Sequence, residues 1–273
     1  MKSSRKLISL IVALSLTLCF SLAGCGDKKE DSEAEENTNA LGLIEEGKLY
    51  VGSDCDYPPF ISLDENGEPT GFEVELMQAI ADDLGLELVY LEPLNFDSLP
   101  TVVAGGGKID LAVSSITITE DRQEVMDFCI PYFVSNQAVV VRAGSSYTTA
   151  LDLDGLVVGA QSGTTGLDWA VESLPNATVK EFNLTSEGLA ALRAGEIEAM
   201  IYDEPVAVEH VNGGYDDCVI LEVIPTAEQY AFGVSYDNPA LKAAINESLQ
   251  KLIDDGTYAE IFAKYFDIEP EIK

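Results

Sequence analysis

From residue 49 onward, short strand-like runs alternate with amphipathic helical stretches, and this alternation constrains the fold more than any other feature. Leu49-Tyr50-Val51-Gly52-Ser53 reads as a first strand. Val74, Met77, Ala81 and Leu84 recur at helical spacing, and Gly85 supplies a C-terminal stop. Leu86 to Leu91 and Ile109 to Ser114 read as strands, Phe96 to Ala104 and Thr119 to Met126 as helices. A second series begins near Leu151. Leu156–Ala160, Val179–Phe182, Ala199–Tyr202 and Val219–Val223 read as strands. Thr165–Leu174, with Trp169 in its packing face, and Leu184–Ala194, with Thr185 as N-cap and Gly195 as stop, read as helices. Parallel strands need crossovers, which helices supply, so the expected class is α/β with two units in tandem.

The joins between the units are legible too. Ala138-Val139-Val140-Val141 is a β-branched run that leaves the first unit. Tyr230-Ala231-Phe232-Gly233-Val234 reads as one strand that returns the chain to it. Asn238-Pro239 then starts a helix as cap and first residue, Leu241, Ile245, Leu249 and Leu252 form its apolar stripe, and Gly256 ends it. Tyr258, Ile261, Phe262 and Tyr265 continue in a last helix. Two crossings make a hinge, and a cleft between lobes is a common ligand site.

The first 25 residues carry an export pattern. Lys2, Arg5 and Lys6 precede an apolar run from Leu7 to Ala23, too short for a stable span. The run closes in Leu22-Ala23-Gly24-Cys25, which resembles the bacterial lipobox, where the cysteine thiol is diacylated. Residues 1–24 are expected to be a lipoprotein signal peptide and Cys25 the lipidation site. Residues 25–40 are acidic with almost no apolar side chain, and are expected to form an unstructured tether. Two acyl chains hold a membrane well, so such an anchor needs no transmembrane helix.

The whole chain carries −33 formal charges; with +3 in the signal and −4 in the tail, the body carries −32. Such a body repels nucleic acid and anionic surfaces. Cys55, Cys129 and Cys218 lie in the body with spacing unlike a zinc site, and His210, on a polar stretch read as solvated helix, is the sole histidine. No metal and no cofactor are expected. Gly105-Gly106-Gly107-Lys108 invites a phosphate-loop reading, but Ile109 stands where a Ser or Thr is required, so a helix stop and turn is expected.

A set of short motifs occurs in order. Asp54-Cys55-Asp56-Tyr57-Pro58-Pro59-Phe60 comes first, then Gly71-Phe72-Glu73-Val74-Glu75-Leu76 and Ile116-Thr117-Ile118-Thr119-Glu120-Asp121-Arg122. Pro131-Tyr132-Phe133, Gln161-Ser162-Gly163-Thr164-Thr165 and Tyr202-Asp203 follow. Each alone is weak, but the ordered set, over about residues 43–268, resembles the family 3 solute-binding proteins of polar amino-acid ABC transporters. The resemblance implies the type II periplasmic-binding-protein fold, with two α/β lobes joined by two hinge strands and a ligand trapped between them. By it, residues 41–137 and 232–273 form lobe 1 and residues 138–231 form lobe 2. It also implies a free amino acid as ligand and an ABC permease as partner; a monomer is expected, and with the lipobox at Cys25 the expected location is extracytoplasmic and lipid-anchored.

The physical chemistry of a zwitterion fits the residues present. A guanidinium makes a planar two-pronged contact with a carboxylate, so Arg122 is the expected carboxylate partner. Thr117 adds a hydroxyl and a backbone N–H, and Thr165 sits at a helix start, whose free N–H groups favour negative charge. Asp203 is the matching ammonium partner, aided by the Ser115 carbonyl. The resemblance gives Tyr57 and Phe96 the part of an aromatic pair around the ligand side chain, and Asp54 the distal end of polar ligands. Gln161 stands where some glutamine binders carry lysine, so arginine, lysine, histidine and glutamine are all expected candidates. Alone, an arginine beside Glu120 and Asp121 would read as a surface ion pair, and Asp203 before Pro205 as a helix cap. A Cys55–Cys129 disulfide is expected within lobe 1. Two other functions share this outline. A cyclohexadienyl dehydratase-like enzyme would need a general acid in the cleft, for which the spacing compels no pair. A sensory domain usually continues into a membrane or signalling segment, whereas this chain ends at Lys273.

Overall fold

Two five-stranded mixed sheets carry the fold in the computed structural model, which describes residues 38–272. The signal segment, Cys25 and the tether as far as residue 37 lie outside the described residues. The first sheet runs in the order Glu87–Tyr90, Lys48–Gly52, Leu111–Ala112, Gly233–Val234, Asp127–Phe128. Its first three strands are parallel, and Gly233–Val234 is antiparallel to both neighbours. In the second sheet the order is Thr178–Phe182, Val157–Gln161, Ala199–Asp203, Phe133–Arg142, Cys218–Tyr230. Again three strands are parallel, and the last two are antiparallel. Tandem α/β units therefore form as the alternation predicts.

The helix stops and caps behave as their residues dictate. Helix Phe72–Leu84 ends at Gly85, whose φ of 67° suits a residue without Cβ. Helix Pro239–Asp254 starts where the Asn238 side chain accepts from the Leu241 amide at 3.1 Å. Its stripe of Leu241, Ile245, Leu249 and Leu252 is buried against Phe72–Leu84, and helix Thr257–Phe262 packs beside it. Around Phe72 and Phe133 the rings of Phe60, Tyr132, Tyr230, Phe232, Tyr258, Phe262 and Phe266 form one cluster, with neighbouring centroids 4.5–6.5 Å apart. Each fully buried side chain of this size stabilises by about 1.5–3 kcal/mol. The cluster sits where Phe133–Arg142 departs, so the hinge springs from a firm base.

Phe133–Arg142 and Cys218–Tyr230 cross between the lobes as an antiparallel pair, with Tyr230 opposite Phe133 at the last rung. The single strand expected over 230–234 is in fact divided. Tyr230 ends the long strand, and at Ala231-Phe232 the chain changes sheets: Ala231 N–H donates to Ile116 O at 3.1 Å and Phe232 O accepts from Cys129 N at 2.9 Å. Other elements are shorter than their periodicity suggests. The helix expected over Thr119–Met126 is one turn, Glu120–Gln123, capped by the Thr119 hydroxyl, because Met126 is drawn fully into the core and Asp127-Phe128 pair with the sheet. Phe96–Ala104 divides into a 3-10 turn, Phe96–Ser98, and a helix, Leu99–Gly105. Residues 38–40, expected to belong to the tether, join the 3-10 turn Thr38–Leu41, whose Leu41 packs on the core.

Three expectations about single residues are corrected. Thr185 is the first residue of its helix rather than the cap, and its hydroxyl donates to Gln161 Oε1 at 3.1 Å. His210 is buried between the rings of Tyr202 and Tyr215, and burial lowers its pKa to about 4, so it is neutral rather than solvated. The Cys55–Cys129 disulfide is absent. Both are free, buried thiols, as is Cys218. Leu111–Ala112 and Gly233–Val234 stand between the strands leading into Cys55 and Cys129, a separation of about 14 Å at sheet spacing. A bridge needs Cα atoms within about 7 Å. Burial raises the thiol pKa values to about 11 for Cys55 and about 12 for Cys129, so both stay protonated.

Candidate ligand-binding site

A narrow cavity of about 20 Å³ lies between the lobes, and all nine residues expected to bind ligand line it: Asp54, Tyr57, Phe96, Ser115, Thr117, Arg122, Gln161, Thr165 and Asp203. Ser114 and Thr164 complete the lining. The sequence places them there because they follow the carboxyl ends of parallel strands. Asp54 and Tyr57 follow Lys48–Gly52, and Ser114 to Thr117 follow Leu111–Ala112. Gln161 and Asp203 end their own strands, and Thr165 opens the helix after Val157–Gln161. In open α/β sheets that edge forms the ligand crevice.

On the lobe 2 wall, Asp203 is buried and highly bonded. Its Oδ2 accepts from the Tyr57 hydroxyl at 2.7 Å and the Tyr230 hydroxyl at 2.5 Å, and Oδ1 accepts from Gln137 Nε2. Burial, and then the charge of Glu228, raise its pKa to about 6, against the lowering pull of these bonds. Though it precedes a helix, its side chain makes no capping bond, so the cap reading fails.

Across the cleft, Arg122 donates from Nη1 to Thr117 O at 2.7 Å and from Nη2 to Gly163 O at 2.9 Å. Its guanidinium carbon lies 5.3 Å from the centre of the Phe96 ring. Burial lowers its pKa from the ordinary value, while Asp203, Glu228 and Asp168 oppose the shift. No ion pair with Glu120 or Asp121 engages it among the described residues, which removes the surface-pair reading.

Asp54 lies on the lobe 1 wall. Its Oδ1 accepts from Ser114 Oγ at 2.7 Å, and its Oδ2 accepts from Gln161 Nε2 at 2.8 Å, across the cleft. Burial raises its pKa. Ser115 is held in the left-handed region, φ 49°, by Glu73, whose Oε1 accepts from the Ser115 amide at 2.7 Å and its hydroxyl at 3.1 Å. Outside the cavity, Asp56 Oδ2 accepts from the Ser186 amide at 2.8 Å, a further link between lobes.

Ser114 and Thr164 in the lining, and Gln137, Glu228 and Tyr230 bonded to it, were not among the expected site residues. Gln137 is buried, and its Nε2, with two protons to donate, lies within bonding distance of Asp203 Oδ1, of Thr165 Oγ1 at 3.1 Å and of Glu228 Oε1 at 3.1 Å. One signal was present: a polar amide opening an otherwise apolar β-branched run. Tyr230 and Glu228 lie on the returning hinge strand, whose register the sequence does not reveal.

The family model for bacterial extracellular solute-binding proteins, family 3, matches residues 49–268. The chain belongs to this family. A probable histidine-binding protein of Neisseria gonorrhoeae is 30% identical over 263 residues, covering 94% of this chain and 94% of its own. The ABC transporter glutamine-binding protein GlnH of Bacillus subtilis is 32% identical over 277 residues, covering 97% and 99%. Among solved structures, an ancestral arginine-binding protein bound to arginine superposes with a TM-score of 0.75 at 35% identity, covering 81% of this chain and 98% of that one. In this solute-binding protein, then, a guanidinium on one lobe and a carboxylate on the other face a single enclosed space. Ligand held by both would favour the closed arrangement over any open one.

Proposed function

We propose that this protein binds a free amino acid with a polar or cationic side chain between its lobes and presents it to an ABC permease. The observation that carries the reading is the meeting of Arg122 and Asp203 on opposite walls of one cavity. Arg122 takes the carboxylate, Asp203 the ammonium and Asp54 the far end of the side chain. The space left between the walls is about 20 Å³, room for about one water, so an amino acid enters only as the two walls part and their side chains yield to it. A buried carboxylate at the far end of the side chain favours a cation or an amide donor. The histidine, glutamine and arginine named for the similar proteins support that class.

Titration calorimetry with the twenty amino acids and cystine tests the reading. Binding restricted to hydrophobic or acidic amino acids refutes the side-chain class. Arg122→Ala should weaken binding by about 2–5 kcal/mol, because it strands a buried carboxylate. An affinity that barely changes refutes the site. The same proposal holds the protein at the outer face of the membrane through lipid on Cys25. Cys25→Ala should move it from the membrane fraction to the soluble one, and retention in the membrane fraction contradicts the anchor.

A further inference from the structure

Glu228 has no part in the binding scheme above, yet it reaches into the same hydroxyls. It lies on the second hinge strand immediately after a register jump between Ile224 and Glu228. The residue before it, Ala227, has φ 51°, in the left-handed region that non-glycine residues avoid. Bulges re-aim side chains, and strained backbone persists where its surroundings hold it. Here the result is a carboxylate turned into the cleft. Glu228 Oε2 accepts from Thr117 Oγ1 at 2.8 Å and from Thr165 Oγ1 at 2.6 Å, and Oε1 accepts from Gln137 Nε2 at 3.1 Å.

The directions of these bonds matter. An ionised carboxylate only accepts, so both threonines must donate, and each hydroxyl has one proton. Thr117 belongs to lobe 1 and Thr165 to lobe 2, so Glu228 ties the two lobes together through them. The amino-acid reading gives the ligand carboxylate the Thr117 hydroxyl and the helix start at Thr165, the place that Glu228 now fills. The single Thr117 hydroxyl proton cannot serve both carboxylates. Arg122, which keeps N–H groups beyond the two engaged with Thr117 O and Gly163 O, lies within the field of the Glu228 charge as well.

We propose that Glu228 is a tethered stand-in for the ligand carboxylate: an amino acid must displace it from Thr117 and Thr165, whereas an amine without a carboxylate binds with Glu228 in place. This rests on the amino-acid reading of the site. It extends the ligand class to decarboxylated amino acids, with Asp203 taking the ammonium in both cases. It also makes Glu228 a latch, since the bonds it makes favour closure without any amino acid.

The test pairs each amino acid with its amine: L-arginine with agmatine, and L-histidine with histamine, titrated into wild type, Glu228→Ala and the size-matched Glu228→Gln. Removing the stand-in should tighten the amino acid and weaken the amine, each by roughly fivefold or more, the worth of about one net hydrogen bond. A general structural role cannot produce opposite signs. A change of the same sign for both ligands, or none, overturns the proposal. If none of the three proteins binds any of these compounds, the amino-acid reading fails, and small-angle scattering still decides the latch. An increase in the radius of gyration of Glu228→Ala over wild type without added ligand supports it; equal radii overturn it. Matching circular dichroism and melting of the three proteins secures the comparison.

Discussion

Glu73 offers a prediction whose size follows from the structure. It is the second residue of helix Phe72–Leu84 and is fully buried, an unusual place for a carboxylate. Its Oε1 accepts from the Ser115 amide, the Ser115 hydroxyl and the Tyr132 hydroxyl, while Oε2 has no partner among the described residues. Burial raises its pKa from 4.5 to about 7, despite the lowering pull of Tyr132 and Ser115. A carboxyl whose folded pKa lies above its unfolded one holds a proton in the native state that the unfolded chain has already lost. Stability must therefore fall as pH rises from about 4.5 to about 7, by about 3 kcal/mol at 1.36 kcal/mol per pH unit. Glu73→Gln abolishes this titration and keeps an oxygen for the Ser115 and Tyr132 donors. The melting temperature of the variant minus that of wild type should accordingly rise by about 6–12 °C between pH 4.5 and pH 8.5, at about 2–4 °C per kcal/mol for a domain of this size. A constant offset from different packing does not matter, because the slope carries the information. Scanning calorimetry across that range measures it. Parallel curves for the two proteins would show that Glu73 is not held as a neutral acid and would refute the reasoning.

Two more predictions concern the cleft. Asp203 has a pKa of about 6 and must be ionised to hold an ammonium, so amino-acid affinity should fall below pH 6, approaching tenfold per pH unit, and Asp203→Asn should flatten that profile; calorimetric titrations from pH 5 to pH 8 measure both, and an unchanged slope in the variant refutes the assignment. Gly163 has φ 75°, and a Cβ there would lie 2.9 Å from Asp97 Cβ on the other lobe. Gly163→Ala should oppose closure and weaken binding by about 1–3 kcal/mol, with an expanded radius of gyration in scattering; wild-type affinity would contradict it.

Which parts of this molecule could be read from sequence follows from the range of the forces involved. Helix stops at Gly85 and Gly195 and the Asn238-Pro239 start depend on neighbouring residues, and they form where the sequence puts them. The nine cavity residues were found because motif order fixes which strand ends they follow, and strand ends converge in a parallel sheet. Errors arise wherever a distant partner decides. His210 looks solvated until Tyr202 and Tyr215 are seen around it. Cys55 and Cys129 look close until two intervening strands separate them. Thr119–Met126 has helical spacing, but the sheet claims Asp127-Phe128 and cuts the helix short. Each local preference involved is worth less than the burial or ladder bonds that overrode it.

The same contrast explains why Gln137, Glu228 and Tyr230, the unexpected bonding partners of Asp203 and the cleft threonines, all lie on the hinge strands. A residue at a strand end is placed by one sheet, so its neighbourhood can be inferred from one α/β unit. A hinge residue is placed by both lobes and by the bulges between them. Gln137 illustrates the consequence: its one amide joins Asp203, the proposed ammonium partner, to Glu228, the proposed rival of the ligand carboxylate. Glu228 also contributes to the raised pKa of Asp203. When a ligand carboxylate displaces Glu228 from the threonines, it takes over that negative charge but brings an ammonium to Asp203. Ionisation of Asp203, release of Glu228 and capture of the ligand carboxylate would then favour one another. In the Glu228→Ala protein, the fall of affinity on acidification should therefore begin at a lower pH than in wild type, because Asp203 has lost its neighbouring charge. A fall beginning at the same pH would mean that the two carboxylates act independently.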